Sequence, residues 1–203
     1  MKKYKNIVFD MGNVLLDYSP YTIVSYFTTD YESINALVHE IFYQQEWLDL
    51  DQGILNYDDA YRLITSRLSS KHHSIVKDIL IHWQDYLIER PEMVILITEL
   101  KNAGYKLYLF SNASLRFYAY ENRIKCLSLF DKKIISADLK YSKPSDDFYH
   151  RAFELCGISA HESFFIDDSV INVLKASQLG MDGYIYNGTY SLLYDYLKRI
   201  EVL

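Results

Sequence analysis

Clustered basic residues, long apolar runs and cysteines at metal-ligand spacing are all missing from this sequence of 203 residues. A formal charge of −6 without a Lys/Arg cluster leaves no basic face for nucleic acid. No apolar stretch is long enough to span a membrane. After Met1-Lys2-Lys3 the apolar run lasts only from Ile7 to Phe9, too short for a secretory signal. Cys126 and Cys156 have neither metal-ligand spacing nor a Cys-rich context, so they read as reduced thiols of a cytoplasmic protein. Repeats and low-complexity tracts are absent as well. What is present is a 50% hydrophobic chain with 20 Tyr scattered without a period, enough for one well-cored domain and a modest insertion. Its partner is expected to be a small molecule held by local cations.

From about Tyr105 onward, short β-rich runs alternate with helical stretches. Tyr105–Phe110, Lys133–Ala137, Ser163–Asp167 and Gly183–Tyr186 read as strands, and Ser114–Arg123, Ser145–Cys156 and Ser169–Leu179 as helices. Pro91–Ala103 is the clearest helix, with Pro91 in its first turn and Met93, Val94, Leu96, Ile97 and Leu100 on one face. Such alternation implies a parallel sheet covered on both faces. Between about Asp17 and Arg90 the pattern breaks. Tyr21–Thr28, Ser33–Tyr43, Tyr57–Leu68 and Ile75–Ile88 are amphipathic helical runs without a convincing strand, and Asp51-Gln52-Gly53 and Asn56 supply turns between them. An insertion there, just after the first strand, is placed to cover whatever that strand carries.

The strand ends carry the chemistry. Asp10 closes the apolar run Asn6–Asp10, Ser111-Asn112 follow the second strand, Lys143-Pro144 follow the third, and Asp167-Asp168 the fourth. Open α/β sheets place reactive groups at such ends. A lone Asp after a strand is a turn residue; four sites in this order point to phosphoryl transfer with an aspartate nucleophile. Asp10 would form an aspartyl-phosphate, splitting one hard displacement into two easier ones. Asp10, Asp167 and Asp168 would repel one another without a cation, and Mg²⁺ suits their hard oxygens. Which of Asp167 and Asp168 would bind it directly stays open. Ser111 and Asn112, where a strand gives way to a helix start, suit phosphate oxygens. Lys143, kept non-helical by Pro144, would offset a dianionic phosphate and help orient Asp10.

Phe9-Asp10-Met11-Gly12-Asn13-Val14-Leu15, Ser111-Asn112, Lys143-Pro144, and Asp167-Asp168 with Asn172 resemble, in order, the four motifs of the haloacid dehalogenase superfamily. The resemblance covers essentially the whole chain. It is strongest to small phosphatases with a helical cap after the first strand, including bacterial Asp-x-Gly-Asn-Val members similar to sugar-phosphate phosphatases. It implies an α/β fold: a three-layer Rossmann-like core whose five-stranded parallel sheet has the order 3-2-1-4-5. Residues 1–16 and 91–203 would form that core and residues 17–90 the inserted helical cap. It further implies Gly12, Ser111, Asn112 and Lys143 as phosphate-binding residues, and Asp10, the Gly12 carbonyl, Asp167 and Asp168 as the Mg²⁺ site.

One position departs from the pattern. Many phosphatases of the superfamily carry a second Asp two residues after the nucleophile as general acid and base, and here that residue is Gly12. General acid–base catalysis contributes ~10²–10⁴-fold. Three substitutes are expected: a good leaving group such as a sugar 1-phosphate, Asp17 at the entry to the insertion, or a relay through water or substrate hydroxyls. Asn13 is neither acid nor base near neutrality. The expected function is Mg²⁺-dependent hydrolysis of a small phosphate monoester, a sugar phosphate among the candidates. The alternatives are a catalytically weak or inactive protein binding a phosphorylated ligand or partner, and a haloacid dehalogenase, against which Asp167-Asp168 argue. A phosphomutase would also miss an acid at position 12. Tyr18, Trp47, Asp49 and Gln52 are candidates to face the core, whereas His72-His73 read as a solvated pair at a helix start rather than a metal site.

Overall fold

Five short runs lie side by side as parallel strands, the inner ones almost wholly buried and the edge strands partly exposed. The computed structural model describes residues 3–203, so Met1 and Lys2, which open the rejected signal-peptide reading, lie outside the described residues. The strands are β1 (Asn6–Phe9), the two-residue β2 (Leu16–Asp17) and β3 (Ile88–Glu89), then β4 (Lys106–Ser111), β5 (Lys132–Ile135), β6 (Ser163–Asp167) and β7 (Asp182–Ile185). The sheet runs β5-β4-β1-β6-β7, which is 3-2-1-4-5 when the five long-range parallel strands are counted alone. Phe9 pairs with Leu109 on one side and Ile166 on the other, so β1 is central and its end meets the ends of β4 and β6.

Side chains alternate across this sheet. Ile7 and Phe9 face a core that also buries Met93, Leu96, Ile97 and Leu100. Val8, Phe110 and Phe165 face the opposite core with Phe148, Tyr149 and Ala152. Five helices come before β3: α1 (Pro20–Ser25), α2 (Tyr31–Phe42), α3 (Gln45–Asp51), α4 (Tyr57–Arg67) and α5 (His73–His82). Six follow it: α6 (Pro91–Asn102), α7 (Phe117–Tyr120), α8 (Ser136–Leu139), α9 (Asp146–Cys156), α10 (Val170–Gln178) and α11 (Tyr190–Arg199). The apolar stripe of α6 covers the first face and that of α9 the second, giving three layers. Side-chain caps start α1 (Ser19), α2 (Asp30), α4 (Asn56) and α9 (Ser145), each accepting from a backbone N–H in the first turn. Among the described residues no helix is long and apolar enough to cross a membrane.

The chain leaves the sheet through β2 and returns through β3, which pair antiparallel. Between them α1 to α5 share the core that reaches β1, with Val24, Leu37, Val38, Ile41, Ile64 and Ile79 fully buried.

Three local expectations change. The helix expected over Ser114–Arg123 is a single turn, α7, followed by 3-10 turns at Glu121–Arg123 and Lys125–Leu129. Bulky Phe117, Tyr120, Ile124 and Leu127 must all be buried there, and aromatic residues hold a long helix poorly. The strand expected to reach Ala137 ends at Ile135, where the backbone turns into α8 and the Ser136 hydroxyl bonds the backbone of Ala113. The helix expected to reach Ile88 stops at His82 and gives way to a 3-10 turn, Trp83–Tyr86.

Phe110 is fully buried and contacts the rings of Phe148, Phe153 and Phe165. Phe110→Ala is expected to destabilise the fold by about 3–5 kcal/mol. Urea unfolding of the two proteins measures it; a loss below about 1 kcal/mol would mean that this face is not packed as described.

Candidate active site

Strand register forces the first contact. Because β1 lies between β4 and β6, the residue after Phe9 sits beside the residues that end those strands, and Asp10 N–H donates to Ile166 O at 2.9 Å. Asp10, Asp167 and Asp168 thereby bring one carboxylate oxygen each within 4.8 Å of one another. Lys143 enters between them. Its Nζ donates to Asp10 Oδ1 at 2.7 Å and to Asp167 Oδ2 at 2.6 Å, and its side chain is only 1% exposed.

Neighbouring amides hold this cluster. Asn112 Nδ2 donates to Lys143 O at 2.9 Å and Lys143 N–H donates to Asn112 Oδ1 at 2.8 Å, so the side chain clamps the lysine's backbone. Asp167, fully buried, also accepts from Ser169 N–H at 2.8 Å and from Asn172 Nδ2 at 3.2 and 3.1 Å. Asn13 adopts φ 55, a left-handed conformation Asn tolerates, in the tight turn after β1. Its Nδ2 donates to Asp168 Oδ2 at 3.1 Å while its Oδ1 accepts from Tyr18 N–H at 3.2 Å.

A cavity of about 290 Å³ opens above the cluster. Its floor comprises Asp10, Gly12, Asn13, Ser111, Asn112, Lys143, Asp168 and Asn172, whereas Asp167 lies beneath the wall. Its roof comes largely from the helices between β2 and β3 and is aromatic: Tyr18, Phe42, Tyr43, Trp47 and Trp83, with Tyr120 from the core side. Asp51, the last residue of α3, is the single charged roof residue on the wall.

Charge and burial decide the protonation. Burial pushes Asp10 up to about 7; Lys143 pulls it down and Asp167 pushes it further up. Burial works to lower Lys143, but Asp10 and Asp167 outweigh it and hold the ammonium above its usual range. Burial raises Asp168 too, against the Asn13 hydrogen bond. Three carboxylates share one ammonium, and the shortfall draws in a proton or a divalent cation. The cluster's hard oxygen donors fit Mg²⁺, with Asp10 and Asp168 on the cavity wall. Asp51 is pushed up to about 8 by burial, with an opposing hydrogen bond from the Ser114 backbone N–H.

The structure brings Asp10, Gly12, Ser111, Asn112, Lys143, Asp167 and Asp168 together at one edge of the sheet. It does not bring in Asp17, which pairs with Arg90 at 2.7 Å, is 57% exposed and is not on the wall. Tyr18 and Trp47 line the cavity. Asp49 instead accepts from Gln45 Nε2 at 2.8 Å, and Gln52 donates to Lys140 O at 2.7 Å. His72 is buried rather than solvated, with its Nε2 2.9 Å from Ser33 Oγ. His73 Nε2 lies 3.1 Å from Thr65 O, so the two rings serve separate structural contacts. Asp51 and the positioning role of Asn13 were missed. The turn Asp51-Gln52-Gly53 was visible in sequence, but nothing in it reveals that it packs against α8 beside the cavity.

A family model for haloacid dehalogenase-like hydrolases matches residues 4–180. The sesquiterpene phosphatase astK of Aspergillus oryzae is 28% identical over 188 residues, covering 89% of this chain and 88% of astK. The drimenol cyclase drtB of Aspergillus calidoustus is 21% identical over 192 residues, covering 89% of this chain but 34% of that protein. In fold, the chain is similar to the HAD-family enzyme BT-2542 of Bacteroides thetaiotaomicron, solved in complex with magnesium and inorganic phosphate. The TM-score is 0.73 at 24% identity, covering 94% of this chain and 99% of that one.

The raised carboxyls set a pH dependence. Asp10 and Asp51 hold protons in the folded chain that an unfolded carboxyl near 3.8 has released. Their ionisation therefore opposes folding, and stability is lost as pH rises from about 4 until it passes about 7 and about 8 respectively. In chelator, the melting temperature is expected to fall between pH 6.5 and 8, and Asp51→Asn should flatten the upper part of that slope. A melting temperature that rises over this range in wild type would contradict the assignment.

Proposed function

The chain belongs to the haloacid dehalogenase-like hydrolase family, and on that footing we propose that it is a Mg²⁺-dependent phosphatase acting on small phosphate monoesters through an aspartyl-phosphate on Asp10. The observation that carries this reading is the buried Asp10 carboxylate on the cavity floor, held by Lys143 at 2.7 Å beside two further carboxylates. Asp10 is the nucleophile. Lys143 orients it and offsets the phosphate's charge. Gly12, Ser111 and Asn112 border the place where the phosphoryl oxygens would lie, Asn112 chiefly by fixing Lys143. Asp10, the Gly12 carbonyl, Asp167 and Asp168 would hold Mg²⁺, which when bound supplies charge neutralisation at the transferring group. Residues 1–16 and 91–203 form the catalytic core in this reading, and residues 17–90 the cap that closes over it.

The roof speaks to the leaving group. Phe42, Trp47, Trp83 and Leu87 give the roof a broad apolar area, beside which Asp51, Tyr120 Oη and Trp83 Nε1 are polar groups. An apolar alcohol is the better occupant. The 28% identical relative named as a sesquiterpene phosphatase supports that choice. Free Cys126 and Cys156, whose thiols burial pushes up, fit a cytoplasmic setting.

Phosphate release from a panel of monoesters tests this, with Mg²⁺ and with chelator. Benzyl and prenyl phosphates are expected to exceed sugar phosphates in kcat/KM. Chelator should abolish turnover, and Asp10→Asn should lower it on the order of 10⁴-fold or more. Ester binding without turnover would favour a binding protein instead, and metal-independent halide release a dehalogenase.

A further inference from the structure

We infer that Asp51 is the acid–base residue of this site, protonating the leaving oxygen in place of the carboxyl that position 12 lacks. The assignment rests on the phosphatase reading above.

Elimination narrows the choice first. The charged side chains on the cavity wall are Asp10, Asp51, Asp168 and Lys143. Asp10 is committed as nucleophile, Lys143 is shared between two carboxylates, and Asp168 faces the cation site. Asp17, the alternative in sequence, is tied to Arg90 outside the cavity. Asp51 alone is uncommitted. No ion pair to it is found among the described residues, and its carboxylate accepts from the Ser114 backbone N–H.

Direction matters as much. In phosphoryl transfer the attacking and leaving oxygens are roughly in line through phosphorus. A nucleophile on the floor therefore sends the leaving oxygen towards the roof, which is where Asp51 stands.

The fold also holds Asp51 there. Ser136 Oγ donates to Asp51 O, Gln52 Nε2 donates to Lys140 O at 2.7 Å, and Lys140 Nζ donates to Gly53 O at 2.5 Å. Gly53 has φ +70, and a Cβ there would meet Ala137 O at 2.6 Å, so only glycine lets this turn seat against α8. The titratable groups facing Asp51 are the phenols of Tyr18, Tyr57 and Tyr120, all pushed above their usual range by burial. None is a cation that would hold Asp51 ionised. With burial raising it to about 8, the carboxyl is protonated near neutrality, as an acid must be before it gives a proton.

The steps balance. Asp10 Oδ bonds to phosphorus while the ester P–O bond breaks. The leaving oxygen keeps the electron pair and takes the Asp51 proton, departing as the neutral alcohol. Water then attacks phospho-Asp10, its proton passes to the Asp51 carboxylate, and the Asp10–phosphorus bond breaks to release inorganic phosphate.

First-turnover kinetics of wild type and Asp51→Asn test this on two esters. One is 4-nitrophenyl phosphate, whose phenolate leaves without a proton; the other is benzyl phosphate, whose alkoxide does not. Asp51→Asn is expected to slow the first turnover of benzyl phosphate ~10²–10⁴-fold. On the nitrophenyl ester it should still give a burst of one nitrophenolate per enzyme, followed by a slow steady state as phospho-Asp10 accumulates. Equal slowing of both first turnovers, or slowing of neither, would overturn the role of Asp51 and leave the phosphatase reading standing. A wild type that releases neither alcohol would overturn that reading and this assignment together.

Discussion

A shortage of positive charge at the end of β1 governs this molecule. The register that pairs Phe9 with Ile166 sets Asp10 against Asp167 and Asp168, away from bulk water. Burial and the neighbouring like charge raise Asp10 and Asp168. One ammonium, Lys143, partly relieves this, and it remains charged because two carboxylates outweigh the cost of its own burial. Removing either partner of such a buried pair typically costs 3–5 kcal/mol, since the remaining charge stays buried. The surrounding amides follow from the same need. Asn112 fixes the lysine's backbone, Asn172 and the Ser169 N–H satisfy Asp167, and Asn13 holds Asp168. Negative charge is left uncompensated there, which is what the proposed divalent cation would offset.

The two halves of the site have different physical origins. The floor is a property of the sheet: strand ends converge there whatever the loops do. The roof is a property of packing. Helices α1 to α5 share a buried core with β1 and meet the floor through aromatic side chains, with Trp47 tilted against Phe42 and edge-to-face with Trp83. Such a roof excludes water, which strengthens every charge interaction beneath it. The pins between Asp51-Gln52-Gly53 and residues 136–140 join the halves, so the shape of the cavity depends on a few hydrogen bonds and one close backbone approach.

What could be read from sequence divides along the same line. Asp10, Ser111-Asn112 and Asp167-Asp168 stood out because the signal for each is local, an apolar β run followed at once by a polar residue, while Lys143 stood out by the proline after it. The sheet order followed from the family resemblance that these motifs carry. The roof gave no such signal. Asp51 precedes a glycine in a turn, and its importance comes from long-range contacts with Ser114 and Ser136 that no periodicity encodes. Asp17 was attractive for its nearness in sequence to Asp10, yet β2 turns it towards Arg90. Asn13, dismissed as an acid or base, matters through its amide. His72, read as solvated, is buried by a helix contact to Ser33 some 39 residues away. Local pattern finds residues that one strand positions, and it misses those that packing positions.

The glycine at position 12 then takes on a specific meaning. A Cβ there would meet only Tyr18 Cβ at 3.8 Å, ordinary contact, so space does not exclude a side chain. On the proposed phosphatase reading, its absence leaves the floor with a nucleophile and a cation site but no uncommitted acid. An acid carried by the roof is present only while the turn at Gly53 is seated against α8. On that assignment, proton delivery depends on the hydrogen bonds that hold this turn in place. On the same reading, an aromatic roof that would welcome an apolar alcohol also raises Asp51, because both effects come from burial beneath it. Specificity and acid strength are in this way two consequences of one desolvated surface, and a polar substitution in the roof would weaken both at once.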